Sequence, residues 1–202
     1  MRQIDTVIFD IGDVLIRWDP CNLYRRMGLA DAETARLIAA TGLEEMNVEF
    51  DLGKPFAEGI GELVHRFPAH RGFIEAWDAR WPEMLDGAIE ANVGVLRDLK
   101  AAGVPVHAIS NFSRVKFDIA RGLYPFLDSF DDAVISADVG MVKPDPEIYA
   151  VLLGRQRIDP ARAVFIDDSA KNITTAAALG LETIHVVDEH VPVRGRLKAL
   201  GL

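Results

Sequence analysis

Residues able to do chemistry fall at the ends of short apolar runs in this 202-residue chain. Asp10 closes Val7-Ile8-Phe9, with Gly12 and Asp13 just beyond it, and Asp167 and Asp168 close Ala163 to Ile166. Ser110 and Asn111 end VPVHAI, and Lys143 sits in the proline-braced loop VKPDP. Runs of this kind read as strands buried on both faces, and a group at a strand's carboxyl end enters the crevice where open α/β sheets bind ligands. Taken singly, each residue has an ordinary reading. Asp10 and Ser110 suit turns, Asp168 suits a helix cap, and Lys143 suits a solvated loop. Taken together they describe a site. Three carboxylates in one crevice repel one another unless a cation lies among them. Oxygen ligands with no His or Cys nearby suit Mg²⁺, which binds substrate phosphates. A lysine adds a point charge for an anion, and a serine hydroxyl donates to a phosphate oxygen. The chemistry is phosphoryl transfer on a small phosphorylated molecule, where positioning and charge neutralisation supply most of the catalysis.

The elements that must position these groups follow from punctuation and periodicity. Asp19-Pro20 reads as a helix cap and first helical residue, and Asp31 as the cap of AETARLIAA, which Gly42 ends. A helix over 44–50, another opened by Pro55, and GFIEAWDARW up to Pro82 complete a stretch without strand alternation. From Ile89 the texture alternates. A helix with Val93, Leu96 and Leu99 on one stripe precedes VPVHAIS as a strand and RVKFDIARGL as a helix. DAVIS, PEIYAVLLGR, RAVFIDD, AKNITTAAALG and ETIHVV then read strand, helix, strand, helix, strand. This rhythm means βαβ units and a doubly wound parallel sheet, an α/β fold. The expected division is a core of residues 1–16 and 87–202 with an all-helical cap of 17–86 inserted after the first strand.

Composition excludes other classes. A net charge of −9 opposes binding to nucleic acid or to an anionic membrane. Cys21 is the only cysteine, so no internal disulfide forms and a reducing, cytoplasmic location is expected. The N-terminus lacks a signal-peptide pattern, and no apolar run approaches the ~20 residues that span a bilayer.

In order along the chain, FDIGDVL, AISN, KPDP and FIDDSAKN resemble the four motifs of the haloacid dehalogenase superfamily, and the helical insertion resembles its C1-type cap. The resemblance covers nearly the whole chain. It implies that Asp10 is a nucleophile forming an aspartyl-phosphate and that the Gly12 carbonyl ligates Mg²⁺. It implies that Ser110 holds the phosphoryl group, with Asn111 beside it at the substrate, and that Lys143 links Asp10 and the phosphate. Asp168 becomes a direct metal ligand, Asp167 a direct or water-mediated one, and Asn172 a supporting residue or simply a polar residue in a helix's first turns. The pattern departs at Gly12, where most phosphatases of the superfamily carry a second aspartate that serves as general acid and base. Asp13 stands one residue further on and is a supporting candidate for that role, although a one-residue displacement re-aims a side chain. The DIGD run is similar to the Asp-X-Gly-Asn pattern of the α-glucose-1-phosphate phosphatase-like branch. An anomeric phosphate needs less protonation on leaving, so a sugar phosphate is one expected substrate. The alternatives are a 2-haloacid dehalogenase and a weakly catalytic binding or regulatory protein.

Other residues read as structural. His107 and His185 lie within strands, His65, His70 and His190 show no ligand spacing, and Cys21 has no histidine paired with it. Trp18, Trp77 and Trp81 are expected to pack the helical stretch, with Trp18 the best placed to reach a substrate and Arg17 equally near. Gly53-Lys54-Pro55 lacks a P-loop context.

Overall fold

A computed structural model describes residues 3–188 and 190–202. Met1 and Arg2, which open the expected N-terminal segment, lie outside them, as does Glu189. The strands are β1 (Thr6–Phe9), β2 (Ile16–Trp18), β3 (Leu85–Ala88), β4 (Val106–Ser110), β5 (Asp132–Ile135), β6 (Ala163–Asp167) and β7 (Glu182–His185). Five of them form a parallel sheet in the order β5-β4-β1-β6-β7. Residues of β1 alternate between the two faces. Val7 and Phe9 enter the larger core cluster and Ile8 the smaller one, all fully buried. A strand buried on both sides reads as one continuous apolar run, which is why this stretch was legible.

Helices α1 (Pro20–Arg26), α2 (Asp31–Thr41), α3 (Leu43–Asp51), α4 (Phe56–Arg66) and α5 (Arg71–Ala79) occupy the stretch between β2 and β3. The other helices are α6 (Glu90–Ala101), α7 (Arg114–Leu123), α8 (Ser136–Val139), α9 (Pro146–Gln156), α10 (Ala170–Ala178) and α11 (Val193–Ala199). Among the described residues no helix is long and apolar enough to cross a membrane. Asp19 caps α1 as expected, accepting from the Cys21 N–H at 2.8 Å, and Gly42 ends α2 at φ 72°. Asp31 is not the cap of α2. Ala30 occupies that position without a side-chain bond, and Asp31 is drawn to Arg25 Nε at 2.7 Å instead. The structure also adds elements. Antiparallel β2 and β3 form a short ribbon at the two ends of the helical stretch, and the expected strand DAVIS stops at Ile135 because Ser136 opens α8. Strands of three or four residues carry too few alternations to show in sequence.

The helical stretch is tied to the sheet by contacts beside the strand ends. Ser136 Oγ donates to the Asp51 carbonyl at 2.6 Å and accepts from the Phe112 N–H at 2.8 Å. Trp81 packs edge-on to Phe112 with ring centroids 5.7 Å apart.

Candidate active site

Strand register brings the distant motifs together. Phe9 pairs with Ile166, and the Asp10 N–H donates to the Ile166 carbonyl at 2.8 Å, so Asp10 and Asp167 leave adjacent strands side by side. The connection from β1 runs toward β4 and that from β6 toward β7, and this divergence opens a crevice at the carboxyl ends.

Asp10 is buried, and three donors converge on its Oδ1: the Ile11 N–H at 2.7 Å, Ser110 Oγ at 2.8 Å and Lys143 Nζ at 2.8 Å. Lys143 Nζ also reaches Asp167 Oδ2 at 2.7 Å. The lysine is buried, which by itself lowers its pKa, but the two carboxylates outweigh this and hold it above its ordinary value. Its loop is fixed by Asn111, whose Oδ1 accepts from the Lys143 N–H at 2.7 Å and whose Nδ2 donates to the Lys143 carbonyl at 3.0 Å.

Both oxygens of Asp167 are occupied. Besides Lys143 it accepts from the Ser169 N–H at 2.8 Å and from Asn172 Nδ2 at 3.0 and 3.1 Å. Asn172 therefore acts on the site through Asp167. Carboxylate oxygens of Asp10, Asp167 and Asp168 lie within 4.8 Å of one another, and Asp168 is the most exposed of the three. Burial together with the charges of Asp10, Asp167 and Asp13 pushes Asp168 up to about 7. One lysine does not neutralise three carboxylates, and an all-oxygen cluster with surplus negative charge fits a hard divalent cation such as Mg²⁺. No histidine belongs to this cluster.

Asp13 is held in the turn after the nucleophile and does not line the cavity beside it. It adopts φ 51°, a left-handed conformation, and its Oδ1 accepts from the Trp18 N–H at 3.0 Å. Its carboxylate thus closes the turn into β2. Arg17 donates to the Ala88 carbonyl at 3.2 Å, bracing the ribbon. His107 is buried within β4, whereas His185 Nε2 lies 2.8 Å from the Asp168 carbonyl.

Above the carboxylates is a cavity of about 180 Å³ with Asp10, Gly12, Ser110, Asn111, Lys143 and Asn172 on its floor. Its apolar wall is built by Trp18, Phe56, Trp81, Leu85 and Phe112. Trp77 is buried in the core and, unlike Trp81, does not reach this wall. The sequence reading missed Asn47, Asp51 and Lys116 on the polar part of the wall. One signal was present: Asp51 is the last residue of α3, where the helix dipole disfavours a negative charge.

A family model described as a haloacid dehalogenase-like hydrolase matches residues 4–180. The chain is 28% identical over 186 residues to the sesquiterpene phosphatase astK of Aspergillus oryzae, covering 90% of this chain and 89% of that protein. It is 26% identical over 196 residues to the D-ribitol-5-phosphate phosphatase of Bacteroides thetaiotaomicron, covering 90% and 91%. Its fold also matches that of a HAD family enzyme of Bacteroides thetaiotaomicron in complex with magnesium and inorganic phosphate. That match has a TM-score of 0.69 at 23% identity and covers 90% of this chain and 93% of the other.

Proposed function

The chain belongs to the haloacid dehalogenase-like hydrolases, and from that membership we propose that it is a Mg²⁺-dependent phosphatase of a small phosphate monoester, working through an aspartyl-phosphate on Asp10. The observation that carries this reading is the state of Asp10. Three donors hold its Oδ1, while none of the described residues donates a hydrogen bond to Oδ2, which is the oxygen left to attack phosphorus. Asp10, the Gly12 carbonyl and Asp168 would hold Mg²⁺, with Asp167 contributing through water because its oxygens are taken. Bound there, the ion would neutralise phosphate charge and orient the phosphoryl group. Lys143 balances charge between Asp10 and Asp167, Ser110 and Asn111 sit where phosphoryl oxygens need donors, and Asn172 keeps Asp167 turned toward the lysine. A magnesium-and-phosphate complex of a relative with the same fold supports this assignment.

Residues 17–86 serve as a cap over a core of 1–16 and 87–202, and the cavity wall they supply selects the substrate. That wall suits an organic group with an apolar or aromatic-stacking face, within which a sugar phosphate is one candidate. The two phosphatases named above differ in just this respect, one being named for a terpene and the other for a polyol phosphate. A 2-haloacid dehalogenase is disfavoured, because the Asp167–Asp168 pair would repel a carboxylate substrate.

The test is phosphate release from alkyl, prenyl and sugar phosphates with Mg²⁺ or EDTA, for the wild type and Asp10→Asn. Release that needs Mg²⁺ and vanishes in the variant is expected. Chloride release from 2-chloropropionate without metal would overturn the reading.

A further inference from the structure

Gly12 puts no carboxyl at the second position after the nucleophile, and Asp13, one residue on, takes the Trp18 N–H on its Oδ1 and does not line the cavity. Phosphate esters of ordinary alcohols need an acid for the departing oxygen, and the aspartyl-phosphate needs a base for water. We propose that Asp51, at the end of α3, is the general acid and base of this site, supplied from the helices above the strand ends. This inference rests on the phosphatase reading of the same cavity.

Asp51 lines the cavity that has Asp10 and Ser110 on its floor. A leaving group in line with Asp10 Oδ2 extends away from that carboxylate into the cavity whose wall includes Asp51. Its position is held twice. The Ser136 hydroxyl grips its backbone carbonyl at 2.6 Å, and Asn47 Nδ2 donates to its Oδ2 at 3.1 Å. Trp77 Nε1, a donor only, contacts Asn47 Oδ1 at 3.3 Å, so the Asn47 amide can present only its NH₂ to Asp51. The carboxyl is thereby oriented by a relay that starts in the core.

Its proton affinity suits the role. Burial, opposed by the Ser113 N–H and reinforced by the charge of Asp10, pushes Asp51 up to about 7. The cations around it are engaged elsewhere. Lys116 on α7 lies 2.5 Å from Asp78, Arg114 pairs with Asp138 of α8, Lys54 lies 2.8 Å from Glu62, and Lys143 is held by Asp10 and Asp167. A carboxyl without a committed cation stays protonated near neutrality, as an acid catalyst must.

The steps balance. Asp10 Oδ2 bonds to phosphorus as the ester P–O bond breaks, and the Asp51 proton passes to the departing alkoxide. Water then attacks phosphorus as the Asp10–phosphorus bond breaks, and its proton returns to Asp51. The sum is ester plus water giving alcohol plus phosphate.

The decisive variant is Asp51→Asn, which keeps size and the oxygen that Asn47 contacts, assayed with Mg²⁺ on an alkyl phosphate and on p-nitrophenyl phosphate. Turnover of the alkyl ester should fall on the order of 10²- to 10⁴-fold. The nitrophenyl ester, whose leaving group needs no proton, should give a burst of one nitrophenolate per site and then stall as trapped phosphoenzyme. A variant with wild-type turnover and pH profile on the alkyl ester overturns the assignment while leaving the phosphatase reading intact. A wild type that releases no phosphate from either ester overturns both. Should Asp51→Asn fail to fold, Asn47→Leu serves. Removing the donor to Asp51 should move the alkaline limb of the alkyl-ester pH profile upward, and an unmoved limb refutes the role.

Discussion

Replacing Lys143 with methionine tests the central electrostatic claim. The ammonium group bridges Asp10 at 2.8 Å and Asp167 at 2.7 Å, and its side chain is 1% exposed. Methionine retains most of the volume but leaves two buried carboxylates facing each other. Removing one partner of a buried ion pair costs about 3–5 kcal/mol. For a chain of this size each kcal/mol shifts Tm by roughly 2–4 °C, so a drop of about 6–20 °C is expected in EDTA. The sign of the pH dependence follows from linkage. Burial and Asp10 already raise Asp167 with the lysine in place, and losing the lysine raises it further. A raised carboxylate contributes stability that is full below its unfolded pKa of ~3.9 and is lost as pH rises through the folded value. The deficit of the variant should therefore be larger at pH 8 than at about pH 5, growing once pH passes the wild-type value of about 6. Mg²⁺ should narrow it, because the ion replaces the missing positive charge. Differential scanning calorimetry at both pH values, with EDTA or Mg²⁺, checks each point. A pH-independent drop of less than about 2 °C in EDTA would mean that Lys143 does not hold the two carboxylates together.

Two further variants probe the support of the site. In Asn172→Ala, Asp167 loses the amide that reaches both of its oxygens at 3.0 and 3.1 Å. Mg²⁺ affinity by isothermal titration should weaken about 10- to 100-fold, and unchanged affinity would remove Asn172 from the metal's support. In Gly59→Ala, the new Cβ would lie 2.4 Å from the Phe50 ring and 2.5 Å from Met46 Sδ. Overpacking of this kind costs about 1–3 kcal/mol, seen as a lower urea midpoint, and an unshifted midpoint would mean that the ring yields freely.

Much of the core was legible because its signals are local. Asp10 and Asp167 end uninterrupted apolar runs and Ser110 ends one broken only by His107, and parallel strands buried on both faces leave a polar group at the boundary exposed to view. Asp19 and Gly42 mark helix ends by bonds and dihedrals that span only a few residues. Where two local solutions compete, the nearest partner decides, as when Arg25 takes Asp31 from the cap of α2.

The amino-acid sequence by itself thus determined the sheet, the order of its strands along the chain and the acidic, lysine-bearing floor of the site. Tertiary structure alone decided which groups face that floor. Asp13 closes the turn into β2 because its left-handed backbone presents its carboxylate to the Trp18 N–H. Trp77 and Trp81 both enter the core, yet only Trp81 and Trp18 also line the cavity, a difference that helical periodicity cannot express. Asp51 shares the cavity with Asp10 because α3 packs on α8 and Ser136 clasps its backbone. Strand ends and caps follow from forces acting within a few residues. The wall of the cavity follows from packing between segments far apart in sequence, where many small contacts sum before any single side chain acquires its direction.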